Sequence, residues 1–118
     1  MNDKHGITRT VIDYVEGWYQ GDAKRMDQAL SKHLAKRRIA SDEEIIDLSK
    51  EWMITETGNG RGRIENPEQG RKDITILAQT ETMASVLLLS ENFIDYLHLV
   101  RVGDSWKIAN VLWDYLPK

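Results

Sequence analysis

At 118 residues, 41% apolar and 30% charged, the chain has the size and composition of one globular domain covering residues 1–118. It contains no cysteine, which excludes disulfides, thiolate metal sites and cysteine catalysis. The formal net charge of −3 supplies no positive field for a nucleic-acid partner, and none is expected.

Ile7, Val11, Tyr14, Val15, Trp18 and Tyr19 recur on one stripe of a 3.6-residue helix, with Arg9, Asp13, Glu16 and Gln20 largely opposite. Gly21 can end that helix in the left-handed conformation, and Asp22 can cap a second one. Ala23, Met26, Leu30, His33 and Leu34 form the apolar stripe expected of this second helix. Lys36 to Ile39 is expected to be an edge strand or an extended link, and Ser41 to Glu44 a turn. Ile45, Ile46 and Leu48 suggest a short strand. Ser49 can cap a third helix carrying Trp52, Met53 and Glu56, with Gly58 as its stop. The glycine-rich stretch from Gly58 to Gly70 is expected to be a loop.

The last third is β in character. Asp73 to Thr80, Met83 to Ser90, Asn92 to Val102 and Ser105 to Leu116 are rich in Ile, Val, Leu, Thr and aromatics. A tight turn at Gly103-Asp104 pairs Val102 with Ser105, and counting back pairs Leu99 with Ile108, Leu97 with Asn110 and Asp95 with Leu112. Strict alternation then puts Asp95, Leu97, Asn110 and Leu112 on the face that takes the helices. Tyr96, His98, Val111 and Trp113 fall on the opposite face, which is too apolar for bare solvent and is expected to meet a second subunit. Helices first and strands last imply an α+β, two-layer arrangement.

Four strings carry a family resemblance: Asp13-Tyr14-Val15-Glu16-Gly17-Trp18-Tyr19-Gln20-Gly21-Asp22, Leu34-Ala35-Lys36-Arg37-Arg38-Ile39, Phe93-Ile94-Asp95-Tyr96-Leu97-His98-Leu99, and Trp106-Lys107-Ile108-Ala109-Asn110-Val111-Leu112-Trp113. In this order they resemble the "putative lumazine-binding" (SnoaL-like) branch of the nuclear transport factor 2-like superfamily. The resemblance implies a cystatin-like cone with three N-terminal helices packed on a curved antiparallel sheet. It also implies a pocket between the layers and frequently a sheet-to-sheet homodimer. It does not imply a reaction, since the superfamily holds isomerases, dehydratases, cyclases and non-catalytic adaptors.

Asp95 on the helical face would be desolvated, which raises a carboxyl pKa toward the range of a general base. Superfamily isomerases pair such a base with a tyrosine donor, a role Tyr14 could fill. The plainer alternative is an Asp95 carboxylate near a strand end, hydrogen-bonded to backbone or paired with Arg37 or Arg38. Asn110 is expected beside it, bonded to ligand, to Tyr14 or to backbone. His98, three residues from Asp95, points to the other face and suits an interface. His33, on the second helix, is a minor pocket candidate, and His5 lies in the N-terminal tail. Tyr14, Trp18 and Trp52 are expected to wall the pocket, with Leu97 and Leu112 from the sheet.

The three histidines show no metal-ligand spacing, and Gly58-Asn59-Gly60-Arg61-Gly62-Arg63 lacks the ending of a phosphate loop. Neither metal nor cofactor is expected. Lys36, Arg37, Arg38, Arg61, Arg63, Arg71 and Lys72 could form a basic rim that attracts an anion. Met1 to Gly6 lacks a secretion-signal pattern, and the longest apolar run, Val86 to Leu89, cannot cross a bilayer. No membrane partner is expected, and the cytoplasm is the expected location. Two functions follow from these features. One is a binding domain for a small hydrophobic or heteroaromatic ligand, acting as a lyase or isomerase through Asp95. The other is a non-catalytic homodimeric module whose own side chains fill the pocket.

Overall fold

The computed structural model describes residues 3–117. Helix α1 spans Lys4–Gln20 and begins at Asp3, whose side chain accepts from the Gly6 N–H. The other Asp3 oxygen accepts from the Trp106 indole at 2.8 Å, which ties the helix start to the last strand. His5 is therefore in the first turn of a capped helix rather than in a frayed tail. Gly21 ends α1 at φ 70°, a left-handed conformation that strains any residue with a Cβ.

Asp22 caps α2 (Ala23–Ala29) through the Arg25 N–H. The Arg25 guanidinium then reaches back to Asp13 and Glu16 on α1, both at 2.9 Å, which fixes the corner between the two helices. The chain leaves the helix at Leu30, four residues before the expected apolar stripe ends at Leu34. Leu30 pairs with Ile108 and is fully buried, and Lys50 Nζ donates to its carbonyl at 2.9 Å. Pairing with the sheet thus overrides the helical pattern of Leu30, His33 and Leu34.

Strand β1 (Leu30–Ser41) turns at Asp42-Glu43 into β2 (Glu44–Leu48), and Ser49 caps α3 (Lys50–Gly58) through the Trp52 N–H. A loop with one 3-10 turn at Pro67–Gln69 leads to β3 (Asp73–Gln79), β4 (Met83–Leu89), β5 (Phe93–Val102) and β6 (Ser105–Tyr115). The six strands lie in the order β2-β1-β6-β5-β4-β3. Hairpins make every neighbour antiparallel except one: β1 runs parallel to β6. The sheet is therefore mixed, and β1 is internal, not the edge strand expected. No hairpin joins β1 to β6; a parallel pair needs a long connection, which here runs through β2, α3, β3, β4 and β5. Ile7, Val11 and Val15 of α1 and Met26 of α2 close the core against Val86, Leu88, Leu97, Leu99 and Ile108. Among the described residues no helix is long and apolar enough to cross a membrane.

The β5–β6 register begins as counted, from Val102 with Ser105 to Leu99 with Ile108, and then slips. His98 pairs with Asn110, Tyr96 with Leu112 and Asp95 with Trp113. Ala109 is the extra residue of a β-bulge, and every β6 side chain beyond it changes face. Asp95 and Leu97 stay with the helices, 4% and 1% exposed. Asn110 and Leu112 turn outward and are exposed, so neither belongs to the interior face. Val111 and Trp113 turn inward, so neither belongs to the outer face with Tyr96 and His98. Outside, the Asn110 amide lies 3.2 Å from His98 Nδ1.

Candidate functional site

A cavity of about 400 Å³ opens between the helices and the wide end of the sheet, and side chains do not fill it. Its size falls within the roughly 300–1,000 Å³ of small-molecule sites. Three buried polar side chains from three elements meet at its wall. Tyr14 comes from the inner stripe of α1, Lys36 from β1 and Asp95 from β5. Lys36 Nζ donates to Tyr14 Oη at 2.6 Å, and Tyr14 Oη donates to Asp95 Oδ2 at 2.8 Å. The hydroxyl is therefore the middle link of a directed chain from ammonium to carboxylate.

Burial sets the electrostatics of all three groups. It pushes the Asp95 carboxyl up, against the Lys36 charge and the Tyr14 hydrogen bond, which pull it down. It pushes the Lys36 ammonium down to about 8, with the Asp95 charge opposing. Burial and then the neighbouring Asp95 charge hold Tyr14 well above its ordinary value, so it stays a neutral donor. Both ends of the chain thus lean toward neutrality while each steadies the other's charge. Burial thus perturbs a carboxyl and an amine at one cavity wall, the kind of groups that acid–base chemistry uses.

Aromatic rings form the rest of the wall. Phe93, Trp113 and Tyr115 cluster at 5.3–5.6 Å between centroids, and Trp18 and Trp52 face them from the helices. Lys36 Nζ lies 5.0 Å from the Tyr14 ring centroid and 5.5 Å from that of Trp113. The Arg38 guanidinium sits 5.3 Å from Trp113 and 5.2 Å from Tyr115. The loop after α3 closes one side: Ile64 N–H donates to the Tyr19 carbonyl, and Gly62 lies flat against the Trp18 indole. A Cβ at Gly62 would collide with the Trp18 indole. Two buried donors beside the cavity, Arg38 Nε and Trp113 Nε1, have no acceptor among the described residues.

The structure therefore gathers Tyr14, Trp18, Trp52 and Asp95 around one cavity. Leu97 is packed in the core behind it. His33 is exposed on β1 and away from the cavity, because α2 ends before reaching it. The Asp95 carboxylate answers Lys36 through Tyr14, and neither Arg37 nor Arg38 pairs with it; Arg37 bonds Asp47 at 2.8 Å outside. Sequence reasoning missed Lys36, Trp113, Phe93 and Tyr115. The signal for Lys36 was its alternation with Arg38 on β1, which puts both on one face. The signal for Trp113 was an all-apolar phase available to β6 after one skipped residue.

Residues 2–114 match the sequence model of a family described as "putative lumazine-binding". The chain belongs to that family. No curated protein sequence matches this family member. Among solved structures it is similar to a protein of unknown function from Silicibacter pomeroyi described as NTF-2 like. The two share 15% identity and a TM-score of 0.79 over 94% of this chain and 93% of that one. An NTF2-like protein of unknown function from Methylobacillus flagellatus gives 20%, 0.77, 98% and 93% in the same terms. A ketosteroid isomerase-like protein from Erwinia carotovora atroseptica gives 9%, 0.72, 99% and 98%. These likenesses establish the nuclear transport factor 2-like α+β cone for this family member.

Proposed function

We propose that the cavity binds a small flat ligand, heteroaromatic or polycyclic, and that the Asp95–Tyr14–Lys36 chain moves a proton on it. The observation that carries this reading is the hydrogen-bonded chain at the wall of an open, aromatic-lined cavity. Tyr14 engages only Asp95 Oδ2, so Oδ1 can take a proton from a carbon next to a ligand carbonyl. The electron pair left behind forms the enolate, whose oxygen Lys36 N–H stabilises. Return of the proton to a different carbon is isomerisation; loss of a β-leaving group, with a proton from Lys36, is a lyase reaction. The family description makes lumazine the first ligand to try.

Quenching of Trp18, Trp52 and Trp113 fluorescence by lumazine and by cyclic enones tests binding. Mass spectrometry of the enones after incubation in D2O tests proton transfer. The wild type should bind saturably and introduce deuterium, and Asp95→Asn should bind without exchange. Binding without exchange in the wild type refutes the proton-transfer step. No saturable binding refutes the pocket reading.

A second reading concerns the outer face of the sheet. The register aligns Thr75, Leu87, Tyr96 and Leu112 in one row across β3, β4, β5 and β6, with Tyr96 54% and Leu112 56% exposed. A two-fold axis through this row would let each copy cover the other, so we infer a homodimer through that face. Leu112→Glu should halve the mass measured by sedimentation. A monomeric wild type at micromolar concentration would overturn the inference.

A further inference from the structure

We propose that the ligand is a flat aromatic carboxylate, bound with its anion at Arg38 and Arg63 in the cavity mouth. The inference rests on the pocket reading above and names the ligand class. The chain as a whole is acidic, at −3, yet its cavity is lined by Lys36, Arg38, Arg61 and Arg63 against Asp95 and Glu91. Most of these charges are already engaged. Lys36 answers Asp95 through Tyr14. Arg61 holds Glu56 at 2.7 Å. The Glu91 carboxylate accepts from the Arg71 N–H at 2.7 Å.

Two cations remain. Arg38 is half-buried, and its hydrogen bond is to the carbonyl of its own neighbour, Ile39, at 3.2 Å. Its Nε is buried without an acceptor, and no carboxylate lies within ion-pair distance among the described residues. Arg63 borders the cavity from the loop after α3; it is exposed and has no ion-pair partner among the described residues, so it adds positive charge at the site without a burial cost. By contrast Arg25, Arg37, Arg61 and Arg71 each hold a carboxylate at 2.6–2.9 Å. A half-buried guanidinium without an anion is costly unless an anion arrives.

The geometry of Arg38 also selects the shape of the anion. Trp113 and Tyr115 lie within cation–π distance of its guanidinium, so a partner is received best along a nitrogen edge. A planar carboxylate matches that edge with two parallel hydrogen bonds, and a ring attached to it extends in the same plane. Trp18 and Trp52 line the same cavity as Arg38 and offer faces for such a ring to stack on. The carbonyl or ring carbon to be acted on would then lie deeper, toward Asp95.

The test uses 2-naphthoate and quinoline-2-carboxylate beside their carboxamides, which keep the shape and lack the charge. Dissociation constants are measured by tryptophan quenching and confirmed by calorimetry. The wild type should bind the acids about tenfold or more tighter than the amides, the size of one charge-assisted pair. Added salt should weaken the acids alone. Arg38→Met fills the same space over the rings and should bring the ratio near one. Arg38→Lys should keep part of the preference, and it serves as the readout if the methionine variant fails to fold. Equal binding of acids and amides overturns this inference and leaves the pocket reading standing. A preference that survives Arg38→Met combined with Arg63→Met also overturns it. Binding by neither set overturns both.

Discussion

Replacing Lys36 by methionine isolates the buried ammonium. In the wild type the Lys36 pKa falls from 10.5 in the unfolded chain to about 8 in the folded one. Between those values the unfolded chain carries more protons, so stability rises with pH. The gain is complete above 10.5 and is lost as pH falls through 8. From pH 7.5 to 9.5 a single group with these two values adds roughly 2 kcal/mol, at about 1.4 kcal/mol per unit across the steep part. Tyr14, whose raised value acts in the opposite sense, titrates only above its ordinary value of 10 and stays silent in this window. The assay is urea unfolding at intervals across it, followed by tryptophan fluorescence and extrapolated to water. Wild type should show the rise, and Lys36→Met should be flat. A flat wild type would mean that Lys36 is solvated or fully compensated. A slope that persists in Lys36→Met would assign it to another group. Either result removes Lys36 as the amine end of the relay.

Tyr14→Phe deletes the middle link and strands both charged ends, and it should cost about 2–4 kcal/mol by urea unfolding. A loss below about 0.5 kcal/mol would show that water or rearrangement replaces the hydroxyl. Asp95→Asn removes the one charge that supports the Lys36 ammonium, so the Lys36 pKa should fall further below 8. Titration of the lysine side-chain carbon resonances by NMR reads this directly, and an unchanged value would refute the coupling. Gly62→Ala drives a Cβ into the Trp18 indole, while the Ile64–Tyr19 hydrogen bond holds the loop. It should cost about 1–3 kcal/mol and alter the Trp18 emission. Unchanged emission and stability would show that the loop yields instead of the ring.

Local chemistry made much of this fold legible. Gly21, Asp22 and Ser49 marked helix ends because each acts on its own neighbours, and the Gly103-Asp104 turn set the first four rungs of the last hairpin correctly. Long-range pairing was not legible. Leu30, His33 and Leu34 have helical spacing, yet a strand remote in sequence captures Leu30 at the end of α2. The bulge at Ala109 had a readable trace. Strict alternation from Trp106 buries Asn110, whereas one skipped residue buries Val111 and places Trp113 at the cavity, with the amide outside. An unpaired buried amide costs a few kcal/mol, so the skipped phase was the cheaper one. Asp95 and Tyr14 were found from β and helical periodicity separately. Lys36 was not, because a lysine in a basic segment is usually solvated, and only the parallel register of β1 against β6 carries it inward.

That parallel register also orders events in time. The phenol, the amine and the acid arrive on α1, β1 and β5, but β1 is held in the sheet interior by the last of the six strands. Until β6 docks, Lys36 has no reason to leave water, and the wall contributed by Trp113 does not exist. Closure joins residues as far apart in the chain as Leu30 and Ile108, a topology that slows folding. The cavity should therefore mature as a single late step, and a chain from which β6 (Ser105–Tyr115) has been removed should be unable to retain a ligand.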